Sequence, residues 1–276
     1  MIQIEELSFS YKRTPVFDRI SLSFEKGNIY GLLGENGVGK TTMLKLICGL
    51  QQPQSGRCEV DGRVAFRRDP ELLQNILFLP DSITLPDRAT PEQYVRQWAP
   101  FYPRFSNETF LELMRELSVD PKRRFREMSF GQQKKSLLAC VLSFGTDYVL
   151  LDESTNGLDI PSKADFRRLL SRRSNEESTI IISTHQVTDV ENLIDPIIII
   201  NKNDVLLNAS VSEITEKLCF TYDTEPSSES LYSERQPGGC LNVRVNMTHE
   251  ESAVNIEALF NAVLRNSNKI KELFAK

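Results

Sequence analysis

Gly34-Glu-Asn-Gly-Val-Gly-Lys40-Thr41 is an unbroken match to the pattern G-x-x-x-x-G-K-[ST]. Before it, Ile29-Tyr-Gly-Leu-Leu33 reads as a buried strand. After it, Met43, Leu44, Ile47 and Leu50 keep helical spacing, and Gly49 stands near the helix end. Strand, glycine loop and helix in that order make a phosphate cradle. Gly34, Gly37 and Gly39 permit backbone angles that point successive N–H groups inward, and the helix N-terminus adds partial positive charge. Lys40 is placed to reach β- and γ-phosphates, and the Thr41 hydroxyl to ligate Mg2+. Asn36 and Thr42 complete the candidate phosphate-contacting set.

Such a site needs a carboxylate at the end of a neighbouring strand. Tyr148-Val-Leu-Leu-Asp152-Glu153 supplies two. Asp152 is the candidate Mg2+ ligand, and Glu153, one residue further out, can polarise an attacking water.

Outward from these motifs the chain alternates strands and helices. Leu7, Phe9 and Tyr11 alternate, as do Ile20, Leu22 and Phe24, and Cys58-Glu-Val60 is a short strand between turn signals. Thr90-Pro-Glu-Gln93 is a capping-box helix start. Ser106 is placed to cap a helix whose apolar face is Phe110, Leu113, Met114 and Leu117. A further helix is expected from about Gln132, carrying Leu137, Leu138, Val141 and Leu142. Thr179-Ile-Ile-Ile182 and Ile197-Ile-Ile-Ile200 are apolar runs typical of a parallel, doubly covered sheet, and residues 162–173 form a charged helical stretch. The order is that of an α/β protein. From about Ser210 the character changes: Thr224-Glu-Pro-Ser-Ser-Glu-Ser230 resembles a linker. Leu241, Val243, Val245 and Met247 then alternate, and Ile256, Leu259, Phe260, Val263 and Leu264 form a helical stripe. This change sets off a first unit over 1–208, with a run of helices at about 82–144, from an appendage over 209–276.

The 276 residues carry 33 basic and 38 acidic side chains, a formal net charge of -5. A mildly acidic chain has no global attraction for nucleic acid, and Arg67-Arg68 and Arg123-Arg124-Phe125-Arg126 read as solvated surface. Five cysteines, an odd number with no metal-ligand spacing, read as reduced thiols of a cytosolic protein. The Met1-Ile-Gln-Ile-Glu-Glu start does not read as a signal peptide. Ile197-Ile-Ile-Ile200 is too short to cross a bilayer, so action at a membrane calls for another anchor.

Four further motifs give the chain a family resemblance. Met128-Ser-Phe-Gly-Gln132 resembles the signature of ABC transporter nucleotide-binding domains, and it stands ahead of Asp152 as that family places it. Asn156-Gly-Leu-Asp159 is similar to the family's D-loop, Ser183-Thr-His185 to its switch histidine, and Tyr11 to the aromatic that stacks on adenine. The resemblance covers about residues 1–208. It implies a P-loop NTPase (RecA-like) core with an antiparallel β subdomain and a helical insert, followed here by a small α+β appendage. It also implies ATP and Mg2+ as cofactors, and a homodimer paired head to tail across two ATP. Ser129, Gly131 and Gln132 would then contact the partner's γ-phosphate, with Asp159 in the D-loop and His185 orienting the water at Glu153. The closest likeness is to ATPase subunits of the ABC-2 export type. That implies a separate membrane-spanning permease, with the chain cytoplasmic and held on the inner face of the membrane by its partner. Ser129-Phe-Gly-Gln132 is also a capping box, and the two readings are compatible.

The chain departs from the family pattern in three places. Asp81, in Phe78-Leu-Pro-Asp81, stands where the Q-loop glutamine is expected and becomes a further candidate Mg2+ ligand. Phe130 replaces the usual glycine of the signature, and Ser154 the proline that follows the glutamate. Two alternatives are weaker. A soluble ABC ATPase acting on nucleic acid or the ribosome fits poorly with one ATPase domain, no sustained heptads and an acidic balance. Asn201-Lys-Asn-Asp204 spells a guanine-recognition pattern after a strand, but it reads equally as a polar turn.

Overall fold

The structure, a computed structural model, describes residues 1–173, 178–227 and 229–275 of the chain. The N-terminal half holds β1 (Ile2–Tyr11), β2 (Thr14–Phe24), β3 (Ile29–Leu33), α1 (Lys40–Ile47), β4 (Ser55–Val60), β5 (Arg63–Val64), α2 (Pro70–Leu73), β6 (Ile76–Leu79), α3 (Pro91–Trp98), α4 (Asn107–Glu116) and α5 (Phe130–Ser143). Then come β7 (Tyr148–Asp152), α6 (Ile160–Arg173), β8 (Thr179–Thr184), β9 (Ile197–Asn201) and β10 (Asp204–Ala209). The chain ends in α7 (Val211–Lys217), β11 (Leu218–Asp223), β12 (Tyr232–Gln236), β13 (Gly239–Val245), α8 (Ile256–Arg265) and α9 (Ser267–Phe274).

The central sheet has the order β10-β9-β3-β8-β7-β6. Pairings among β9, β3, β8, β7 and β6 are parallel, and only β10 runs antiparallel. Strands β3, β7 and β8 are buried along their whole length, which explains their unbroken apolar runs. Their side chains alternate between two cores. Tyr30, Leu32, Tyr148, Leu150, Ile181, Ile198 and Ile200 face α1 and the antiparallel sheet β2-β1-β4-β5. Leu33, Val149, Leu151, Ile180, Ile182, Ile197 and Ile199 face the helices of the other side. Each fully buried isoleucine contributes about 1.5–3 kcal/mol.

Capping sets the helix starts. Thr90 and Ser129 each close a capping box, with Gln93 and Gln132 as the reciprocal residues. Ser129 is therefore the N-cap, and α5 starts at Phe130, earlier than the apolar positions alone suggest. Ser106 accepts from the Thr109 N–H at the head of α4, whose Phe110, Leu113 and Met114 are buried.

The last part of the chain is α+β, with a sheet of order β11-β13-β12. Its Ile214, Leu218, Val243, Ile256, Leu259 and Val263 belong to the same apolar cluster as Ile197 and Ile199 of the central sheet. The segment read as a linker, residues 224–230, connects β11 to β12 within this sheet; its Ser228 lies outside the described residues. Central β13 is buried on both faces at Cys240, Leu241, Asn242 and Val243, while Met247 lies beyond the strand and is exposed.

Candidate nucleotide site

The parallel strands deliver their C-terminal ends to one edge of the sheet, where α/β proteins bind ligands. The glycine loop follows β3, Asp81 follows β6, Asp152 and Glu153 end β7, and His185 follows β8. Residues far apart in sequence therefore meet across neighbouring strands.

The loop needs its glycines for different reasons. Gly37 and Gly39 adopt φ of +82° and +115°, angles that favour glycine. At Gly34 the constraint is space: a Cβ would lie 2.8 Å from the Ile200 carbonyl oxygen. Beyond the loop, α1 begins at Lys40, and its first-turn N–H groups have no intrahelical acceptor. These donors and the helix dipole favour an anion.

Lys40 is buried and its ammonium curls over the loop, donating to the carbonyls of Gly34 at 2.8 Å and Glu35 at 3.2 Å. It also pairs with Glu153 Oε1 at 3.3 Å. Thr41 Oγ1 donates to Asp152 Oδ2 at 2.7 Å, across 111 positions of sequence, and Ser183 Oγ donates to Asp152 Oδ1. The Asp152 carboxylate, 3% exposed, is thus held by two hydroxyls. Asp152 and Thr41 present adjacent hard oxygens, a donor set that suits Mg2+ when substrate phosphates complete its shell.

Glu153 adopts φ of +47°, a left-handed conformation costing a non-glycine residue about 1–2 kcal/mol. Its N–H still donates to the Ser183 carbonyl at 2.9 Å, so the bend comes just after the ladder ends. The bend brings Glu153 Oε1 to 2.9 Å from His185 Nδ1, while the His185 N–H donates to Oε2 at 3.4 Å. One carboxylate thus joins the loop lysine to the histidine of the next strand.

The helix α5 presents a different face. Ser129 and Phe130 are exposed at its start, and a Cβ on Gly131 would meet open space. The Phe130 ring lies against Gly157, where a Cβ would come within 2.6 Å of it. Asp159 caps α6, accepting from the Ser162 N–H at 2.9 Å, and hydrogen bonding by the Ser162 side chain and then its backbone holds the carboxyl below the usual range. The Tyr11 hydroxyl accepts from Thr42 Oγ1 at 3.5 Å, and its half-exposed ring meets Phe9 edge-on.

The profile of the ABC transporter family matches residues 17–156. ABC transporter ATP-binding protein YtrB of Bacillus subtilis (strain 168) is 34% identical over 231 residues, covering 82% of this chain and 78% of YtrB. The chain belongs to the ABC transporter family. It is an ATP-binding, ATP-hydrolysing subunit, the motor of a transporter. Solved cassettes share the fold. "Structure of ATP binding subunit of ABC transporter" superposes with a TM-score of 0.70 at 22% identity, covering 78% of this chain and 91% of that one. "Dimeric Structure of MJ0796, a Bacterial ABC Transporter Cassette" does so at 0.67 and 21% identity, covering 76% and 98%.

Within this cassette the structure gathers Gly34, Gly37, Gly39, Lys40, Thr41, Asp152, Glu153 and His185 at one edge of the sheet. Ser129 and Gln132 bond each other at the head of α5. The guanine-like Asn201-Lys-Asn-Asp204 is a hairpin turn between β9 and β10, with Asn203 at φ of +66° and Asp204 paired to Lys271 of α9. It serves the fold.

Lys134 escaped the motifs altogether, and the switch motif that includes Ser183 gave no sign of its bond to Asp152. Lys134 donates to the Asn156 carbonyl at 2.6 Å, and Asn156 Nδ2 donates to Asp81 Oδ1 at 3.5 Å. A dibasic Lys134-Lys135 one turn into a helix carries no sign of this contact, because its partners come from the ends of β6 and β7.

Among the described residues no helix is long and apolar enough to cross a membrane.

Proposed function

We propose that this cassette binds Mg·ATP on the Gly34–Thr41 loop and hydrolyses it with Glu153 as the general base. The observation that carries the reading is the pair of contacts Thr41–Asp152 and Lys40–Glu153, which set loop and carboxylates against one another. Asn36, Gly37, Gly39, Lys40 and Thr42 contact the phosphates and Tyr11 packs on the adenine. Thr41 and Asp152 hold Mg2+, with Asp81 as a further oxygen ligand. When bound, the metal supplies charge neutralisation on the phosphates. Glu153 accepts a proton from the attacking water, and His185 fixes the orientation of its carboxylate.

Ser129, Gly131 and Gln132 stand exposed or half-exposed at a helix N-terminus, the kind of place that takes an anion. We assign them to the γ-phosphate held by a second copy, paired head to tail. ATP then favours the closed pair, because its contacts across the interface exist only there. Residues 1–208 form the ATPase unit, with the insert at about 82–144 receiving the permease, and 209–276 form an appendage. The permease anchors the chain on the cytoplasmic face of the membrane, and the direction is export.

The test is the size of the Glu153→Gln variant in solution, with and without Mg·ATP. A monomer that becomes a dimer with ATP, and with neither ADP nor GTP, is expected, alongside loss of turnover. Undiminished hydrolysis in that variant would remove Glu153 from its role.

A further inference from the structure

Beside the nucleotide loops lies a cavity of about 350 Å3, bounded by the segment after β6, the start of α5 and the loop after β7. Its polar lining includes Asp81, Lys134, Asn156 and Ser154. Lys134 ties the elements together. Its ammonium donates to the Asn156 carbonyl and sits 5.1 Å from the centroid of the Phe130 ring, which itself rests on Gly157. Asn156 in turn donates to Asp81. Signature helix, D-loop and the end of β6 are thus linked through one lysine and one asparagine.

Charge explains why a lysine stands there. The resemblance leads one to expect a neutral glutamine at 81, and this chain has a carboxylate. Asp81 and Glu153 both face Lys134 electrostatically. Other nearby cations are committed: Lys40 to Glu153 and the loop carbonyls, and Lys135, which also lines the cavity, to Asp165 at 3.0 Å. A carboxylate at 81 in place of a neutral glutamine adds negative charge beside the triphosphate.

We propose that Lys134 is a positioning residue that compensates Asp81, so that the two act on the nucleotide as one neutral unit bridged by Asn156. Burial pulls the Lys134 ammonium below its ordinary pKa, and Asp81 and Glu153 offset part of that pull. A lysine that merely propped the D-loop would need only the Asn156 carbonyl and would be indifferent to residue 81.

This proposal rests on the ATPase reading of the site and is tested in the full chain. Mg·ATP affinity, read with a fluorescent ATP analogue, and turnover are measured for the wild type, Lys134→Gln, Asp81→Gln and the double variant. Lys134→Gln is expected to weaken Mg·ATP about tenfold when Asp81 is present, and less than about twofold in the Asp81→Gln background, a coupling typical of neighbours in one network. Lys134→Arg, which keeps the charge, is expected to hold affinity within about threefold. Equal losses in both backgrounds overturn the proposal and leave Lys134 a strut. Should Lys134→Gln fail to fold, recovery of folding in the double variant supports compensation, and an unfolded double variant overturns it. Wild-type protein that binds no Mg·ATP sinks the ATPase reading instead. The same four proteins compared by thermal melting without nucleotide then decide the role of Lys134.

Discussion

Two glycines of the phosphate loop, both at positive φ, should respond very differently to the same added methyl group. At Gly37 (φ +82°) a Cβ meets nothing within 4 Å, so Gly37→Ala costs only the backbone term. At Gly39 (φ +115°) the Cβ would lie 2.8 Å from both Phe17 Cζ and Val16 Cγ1. Phe17 is 2% exposed and lodged in the core between the antiparallel sheet and α1, so it has little room to retreat. The backbone term is about 1–2 kcal/mol at either site. Overpacking adds about 1–3 kcal/mol at Gly39 alone. Gly39→Ala should therefore cost about 2–5 kcal/mol and Gly37→Ala about 1–2. For a chain of this size each kcal/mol lowers the melting temperature by about 2 °C, giving drops of roughly 4–10 °C and 2–4 °C. Thermal melting of the nucleotide-free variants reads this directly, without interference from altered ligand contacts. Equal shifts for the two variants would refute the argument from the Phe17 contact, and a stabilised Gly39→Ala would refute the positive φ as well.

Two other predictions separate structure from function. Ser129→Ala and Ser106→Ala each remove a helix cap and should each cost about 1 kcal/mol in urea unfolding, yet only Ser129→Ala should abolish the ATP-driven shift from monomer to dimer in light scattering. All five cysteines are buried, and burial pushes the Cys48 thiol up to about 11 and Cys58 up to about 12. Folded protein at pH 8 should thus react with a thiol reagent far more slowly than urea-unfolded protein; comparable rates would contradict the burial.

The glycine loop, the strand ahead of it and the helix after it were legible because their requirements are local. Positive φ, close backbone approach and apolar spacing all leave marks within a dozen residues. The capping residues Thr90, Ser106 and Ser129 were legible for the same reason. Asp152 and Glu153 could be placed at a strand end, but their contacts with Thr41 and Lys40 depend on the strand order, which no local pattern encodes. Lys134 was opaque: as a solvated helix lysine and as a hub it has the same sequence. The segment 224–230 misled because serine, proline and glutamate suit a connection inside a sheet as well as one between domains. Central β13 blurred its own alternation, since Asn242 is buried by hydrogen bonds to Asp223 and Ser233.

Strand β10 is the outermost of the central sheet on its side, and a strand in that position offers a row of unpaired amides to any passing chain. Here β2 touches its beginning through the Phe17–Asn203 bridge, and α9 is fastened beside it by the Lys271–Asp204 ion pair and the bond from Lys217 to the Leu273 carbonyl. The final helix thus acts as a guard rail along an adhesive margin. A cassette shortened before it would show this margin, and with it the apolar side chains that Ile270 of the same helix now packs against. The hazard it averts is sheet-to-sheet sticking between copies, a form of association opposed to the orderly pairing around ATP on which the motor depends.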